Sequence, residues 1–214
     1  MHDDLGDFWK EVSECQAVRD VTHGPNISKI AEAVLGQKGI GTDYVILRVA
    51  TGGNGTRLHY DLPFFNRFPG PMAVFWVPFG NLKFGQGTLT VVENSHKFDD
   101  LIDDIRGGDV HADPDRSVEI DINPQNVVDS RKSKFLTTEF NPGDVVVFSP
   151  TTLHGSFDKV SPEGGVRVSC DVRYIAETLP LDDRYFGADP KGITGGGYGE
   201  LNGAKPLNQE WHMR

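Results

Sequence analysis

The sequence predicts a mainly β fold, an antiparallel sandwich or jelly roll, with helices flanking it on the N-terminal side. Three observations carry this reading. From Asp43 onward the apolar pattern repeats with a period of two, as in strands with one buried face. Glycine and proline, 25 and 13 of the 214 residues, punctuate the chain more densely than a helical bundle tolerates. Helical stretches do not alternate with the strands, as a parallel βαβ sheet would require. At this length a hydrophobic core forms without disulfide staples, and 13 Phe, 3 Trp and 5 Tyr give it bulk.

The elements follow in order. The first forty residues read as helical cover for a sheet. Leu5, Phe8, Trp9 and Val12 recur at helical spacing. Ile27, Ile30, Ala31 and Val34 share one face of a second helix over 27–35, with Asn26 as N-cap and Gly36 ending it. Strands are predicted over 44–50, 57–65, 73–79, 88–93, 135–140, 144–149, 153–158 and 166–175. Turn chemistry separates them at Gly52-Gly53-Asn54-Gly55, Pro69-Gly70-Pro71, Asn141-Pro142-Gly143 and Pro162-Glu163-Gly164-Gly165. Residues 98–133 are polar and interrupt the series, reading as an excursion with one short helix around 101–105. Such an insertion either shapes a binding site or is a plain surface loop. The tail, 178–214, holds Gly195-Gly196-Gly197 and no periodicity. The whole chain, 1–214, therefore reads as one domain: helical cover 1–40, β core 43–177 and tail.

Charge and cysteine usage narrow the function classes. A net charge of −10 and a pI near 5.1 disfavour nucleic-acid and anionic-membrane partners. The longest apolar runs are too short to span a bilayer, and no basic-then-apolar leader opens the sequence. Two cysteines, Cys15 and Cys170, form no disulfide framework and fit a reducing cytoplasm. The glycosylation patterns at Asn26 and Asn54 are read as chance matches.

Seven histidines must then be sorted. In the segment Arg57-Leu58-His59-Tyr60-Asp61-Leu62, residues i and i+2 project from the same strand face. His59 and Asp61 can thus converge on one ion, while Leu58, Tyr60 and Leu62 point the other way. Imidazole and carboxylate are suitable ligands for divalent iron. His111-Ala112-Asp113 repeats the pattern but lies in a polar loop with no strand to fix it, and is taken as a decoy. His96 reads as a tether at its strand end.

A third ligand is expected from a later strand. His154, in His154-Gly155-Ser156, follows the buried-strand run 144–149, and glycine beside it permits close backbone approach. Taken singly, each histidine reads as a satisfied core residue; two histidines and a carboxylate together read as one face of an iron with three positions open. In 166–175, Arg167, Ser169, Asp171 and Arg173 share one face, with Val168, Cys170 and Val172 on the other. Arg167 is the candidate for a cosubstrate carboxylate, held by two parallel hydrogen bonds, with Ser169 adding a third. Arg173 reads equally as a second such group or as an exposed partner of Asp171. Cys170 reads as a buried structural thiol. Tyr60, Phe64, Phe65, Phe75 and Trp76 are core by default.

Over 44–175 these residues resemble the phytanoyl-CoA dioxygenase family of Fe(II)/2-oxoglutarate oxygenases. The pieces are His59-Tyr60-Asp61, the strand-and-turn segment from Gly87 to Asn94-Ser95-His96-Lys97, Asn141-Pro142-Gly143-Asp144 with its apolar run, and His154-Gly155-Ser156 with Arg167 beyond. The resemblance implies a double-stranded β-helix of cupin-like type. It further implies iron held by His59, Asp61 and His154, and 2-oxoglutarate gripped by an arginine and the Ser156 hydroxyl. O₂ would be the second cosubstrate. In many relatives the arginine stands where Gly165 stands here; Arg167, two positions on, keeps the strand face. Halogenating relatives replace the metal-binding Asp with Gly or Ala, so Asp61 implies hydroxylation of a small-molecule C–H. The N-terminal region reads as abbreviated. Two other classes compete: a non-catalytic jelly-roll binding module, and a cupin-type metalloenzyme that ignores 2-oxoglutarate. Oligomeric state is left open.

Overall fold

A computed structural model describes residues 12–13, 15–53, 55–113, 120, 123–161 and 165–187. The first predicted helix, apart from Val12, and the Gly-rich tail beyond Gly187 lie outside the described residues. Two helices open the described chain, α1 (Gln16–Thr22) and α2 (Pro25–Leu35). Pro25 at the first helical turn, rather than Asn26 as a cap, starts α2, with Gly24 at the N-cap and Gly36 in the left-handed conformation at its end. Its buried positions are Ile27 and Ala31, whereas Ile30 and Val34 are exposed, so the apolar stripe is narrower than the spacing suggests.

Eight strands follow among the described residues, all paired antiparallel: β1 (Gly39–Gly41), β2 (Ile46–Ala50), β3 (Met72–Pro78), β4 (Leu89–Val92), β5 (Phe135–Leu136), β6 (Val146–Phe148), β7 (His154–Ser156) and β8 (Arg167–Ala176). The larger sheet runs β1-β8-β3-β6, with β2 beside β1 on the same edge of β8; the smaller runs β5-β4-β7. This is the predicted jelly-roll architecture. β8 is its spine, pairing with β1 and β2 on one side and β3 on the other. Its alternation separates two environments. Cys170, Val172 and Tyr174 join Leu47, Ala73, Phe75 and Val77 under α1 and α2, while Arg167, Ser169, Asp171 and Arg173 are buried on the opposite face, toward the smaller sheet.

Three sequence expectations are corrected. Residues 57–65 are not one strand. Asp61 already has right-handed helical backbone angles, φ −76° and ψ −15°, and opens the one-turn helix α3 (Leu62–Phe65). Pro63 in its first turn is the cause, since its fixed φ suits a helix start and its missing N–H cannot join a ladder. The helical reading of the first forty residues misses β1, a short strand built on two glycines. The excursion over 98–133 holds the helix expected around 101–105 and a second one that was not expected. These are α4 (Asp99–Arg106) and α5 (Pro124–Ser130), whose Ile102, Ile105, Val127 and Val128 pack with Leu58, Tyr60, Val92 and Leu153. They cover the outer face of the smaller sheet.

Candidate metal centre

The segment before Asp61 runs antiparallel to β7. His59 and His154 exchange backbone hydrogen bonds at 2.9 and 3.1 Å, and the Ser156 N–H donates to the Thr56 carbonyl at 2.9 Å. Such close approach requires glycine: a Cβ on Gly155 would lie 2.6 Å from the Thr56 carbonyl oxygen, and one on Gly55 2.1 Å from that of Ser156. The imidazoles are thereby brought together, their centroids 4.3 Å apart and their planes tilted by 50°.

Each ring is oriented by its own backbone. His59 Nδ1 lies 2.9 Å from the Arg57 carbonyl and His154 Nδ1 2.9 Å from that of Thr152. Only a protonated Nδ1 can bond a carbonyl, so these contacts set the tautomer and leave Nε2 of both rings with a lone pair. The two Nε2 atoms face Asp61 Oδ1 at 3.6 and 3.8 Å. One ligand atom from each residue lies within 4.8 Å of the others, all three residues are buried, and no other such group of acidic, His or Cys side chains occurs among the described residues. Burial lowers the His154 pKa to about 3, helped by the neighbouring His59, which keeps the ring neutral. Burial alone would raise the Asp61 pKa, but the Arg173 guanidinium more than offsets it and holds the carboxylate well below its usual range. Two imidazoles and an ionised carboxylate are the donor set that suits divalent iron on one coordination face.

A narrow pocket adjoins the rings, walled by Arg48, Thr56, Trp76, Ser156, Arg167 and Asp171. Arg167 is buried and donates from Nη1 to Ser169 Oγ at 2.9 Å. The Ser156 hydroxyl accepts the Thr56 N–H at 2.8 Å. Asp171 pairs with Arg48 across the β2–β8 ladder, and Arg173 donates to Asp61 Oδ2 at 2.6 Å. The Asp171–Arg173 pairing anticipated from spacing is therefore absent, because each residue has a tertiary partner closer than its strand neighbour. A larger groove of about 710 Å³ carries Thr88, Thr90 and Phe135, the alternation opposite to Leu89 and His154. It holds none of the three ligand residues.

The remaining candidates are placed elsewhere. His111 sits in a turn with its Nε2 2.9 Å from the Tyr185 hydroxyl, outside the ligand group. His96 is exposed in a single 3₁₀ turn, Ser95–Lys97, and the tether at that strand end is Ser95. Its hydroxyl accepts from Leu153 N–H at 2.9 Å, and its carbonyl accepts the Tyr60 hydroxyl at 3.1 Å. The Arg48–Asp171 pair was missed by sequence reasoning, although Arg48 stands on the inward period of its strand.

A jelly roll that presents two imidazoles and one carboxylate beside a buried arginine is the arrangement that suits non-heme iron, 2-oxoglutarate-dependent oxygenases. Within that class the chain belongs to the phytanoyl-CoA dioxygenase family, whose model matches residues 7–167. Solved structures agree on the fold. The epimerase SnoN from nogalamycin biosynthesis, described as non-heme and alpha-ketoglutarate dependent, is 16% identical with a TM-score of 0.58, covering 93% of this chain and 72% of its own. The carbocyclase SnoK from nogalamycin biosynthesis is 19% identical with a TM-score of 0.55, over 90% and 68%. AviO1 from Streptomyces viridochromogenes Tue57 is 18% identical with a TM-score of 0.51, over 78% of this chain and 64% of its own length, so this chain spans less than two thirds of it. No curated protein sequence matches the chain.

Proposed function

We propose that the whole chain is one oxygenase domain in which His59, Asp61 and His154 hold Fe(II), and that it hydroxylates an unactivated C–H of a small-molecule substrate. The observation that carries this is the convergence of both Nε2 atoms on Asp61 Oδ1 beside Arg167. When bound, Fe(II) with 2-oxoglutarate and O₂ supplies the oxidation, in which the cosubstrate loses CO₂ to become succinate and the substrate C–H becomes C–OH.

The chain's own groups bind, orient and exclude. The backbone carbonyls of Arg57 and Thr152 hold the ring tautomers that ligation needs. Arg167, whose Nη1 is steadied by Ser169, is the cation for the cosubstrate carboxylate, with the Ser156 hydroxyl beside it as a further donor. Arg173 is committed to Asp61 and takes no part in cosubstrate binding. Trp76 and Leu89 wall the pocket against water. No described helix is long and apolar enough to cross a membrane. The two cysteines, both thiols, support a reducing cytoplasm, and the acidic charge disfavours nucleic-acid and anionic-membrane partners.

The test is succinate formation by purified protein with Fe(II), ascorbate and 2-oxoglutarate. Slow substrate-independent succinate is expected, abolished by His59→Ala or His154→Ala. Its complete absence under reducing conditions would favour a binding module instead.

A further inference from the structure

We propose that Arg173 is a positioning residue of the metal centre, fixing Asp61 so that Oδ1 alone is offered to the ion. The inference rests on the metal reading above. Arg173 Nη2 donates to Asp61 Oδ2 at 2.6 Å, and both side chains are 2% exposed. Oδ2 is thereby engaged by a cation, while Oδ1 faces the two imidazoles. A carboxylate with one oxygen fixed in this way ligates through the other. Without that bond it is able to turn about its terminal torsion and present both.

The surroundings of the guanidinium fit positioning better than ligand capture. Arg173 comes from β8 opposite Val74, and its guanidinium lies over the Phe65 ring at 4.9 Å. Phe65 belongs to α3, the helix that Asp61 opens, so one arginine contacts both ends of the element carrying the ligand. Behind Phe65 stands the Tyr185 ring, centroids 4.6 Å apart, its hydroxyl donating to the Phe64 carbonyl at 2.7 Å. Arg173 Nε and Nη1 are buried with no hydrogen-bond partner. A guanidinium normally fills its donors when buried. This one spends a single directed bond on Asp61 and is otherwise held by an aromatic face. The pocket beside the imidazoles is lined by Arg167, not Arg173.

Co(II) titration of the purified protein, read by its visible absorption, tests the proposal apart from turnover. Wild-type protein is expected to bind one Co(II), and His59→Ala to lose it. If wild type takes up no Co(II), the metal reading itself fails. Given wild-type binding, Arg173→Gln should weaken Co(II) about tenfold to a hundredfold and alter the band pattern as the carboxylate turns. Arg173→Lys, which keeps a charged donor, should recover most of the affinity and the wild-type bands. Unchanged affinity and bands in Arg173→Gln overturn the proposal, as does Arg173→Lys behaving no better than Gln. If Arg173→Gln does not fold, Phe65→Leu carries the test: it keeps Arg173 but removes the ring beneath it, and should weaken Co(II) by about threefold or more. Wild-type affinity in Phe65→Leu would then overturn the proposal.

Discussion

His59 and His154 lie directly opposite one another across an antiparallel pair, each backbone N–H donating to the other's carbonyl. Their imidazoles meet because of this pairing, and the pairing is possible because Gly155 has no side chain to strike the segment that carries His59. The metal centre thus depends on a residue that touches no ligand.

Gly155→Ala should expose that dependence. Its Cβ would stand 2.6 Å from the Thr56 carbonyl oxygen and 3.1 Å from that of Arg57, both backbone atoms that cannot swing aside. Separating the strands should lower stability by about 1–3 kcal/mol and pull the imidazoles apart. Thermal unfolding and Co(II) titration together check it. A variant with wild-type melting and wild-type metal affinity would show that the segment yields freely.

Much of this arrangement was legible in advance. The alternation Arg167, Ser169, Asp171, Arg173 against Val168, Cys170, Val172 marks a strand with one polar and one apolar face; the pattern leaves the polar face open to solvent or to a cavity, and it is buried. His59 and Asp61 share a side even though only His59 pairs as a strand residue would, because the turn into α3 begins only at Asp61. What escaped was set by tertiary pairing. Period two places Asp171 and Arg173 together, but Arg48 from β2 and Asp61 from the start of α3 approach and take them. Phe64 and Phe65 look like strand residues by propensity, and only Pro63 betrays the helix. Ile102, Ile105, Val127 and Val128 are too widely spread among charges to advertise that they seal the smaller sheet.

The two buried arginines of β8 should separate cleanly in their effect on cosubstrate. Removing the guanidinium that faces the pocket, in Arg167→Ala, forfeits a charge-assisted contact to a carboxylate. That is worth ~2 kcal/mol, or about a thirtyfold rise in the 2-oxoglutarate concentration needed for half-maximal succinate formation. Iron or Co(II) affinity should hold. If Arg167→Ala leaves the 2-oxoglutarate requirement untouched while an Arg173 variant raises it, the roles assigned to the two are reversed.

Stability should also depend on pH through a group remote from the metal. Burial, reinforced by Arg184, lowers the His111 pKa from 6.5 to about 4, with Asp109 and Asp182 opposing and Arg67 adding to the shift. Its ring bonds the Tyr185 hydroxyl, which in turn holds the Phe64 carbonyl. Because the folded value is the lower one, the unfolded chain takes up a proton between pH 6.5 and about 4 that the folded chain refuses. Stability is therefore intact above pH 6.5 and is lost as pH falls through this window. For a half-buried ring screened by solvent the loss is on the order of 1 kcal/mol. His111→Gln keeps a hydrogen-bonding group toward Tyr185 but cannot titrate, so denaturant midpoints measured above and below pH 6.5 should fall less steeply than in wild type. His154 titrates identically in both proteins and cancels from the comparison. Parallel pH profiles for the two proteins would mean that His111 is protonated as readily in the folded chain as in the unfolded one.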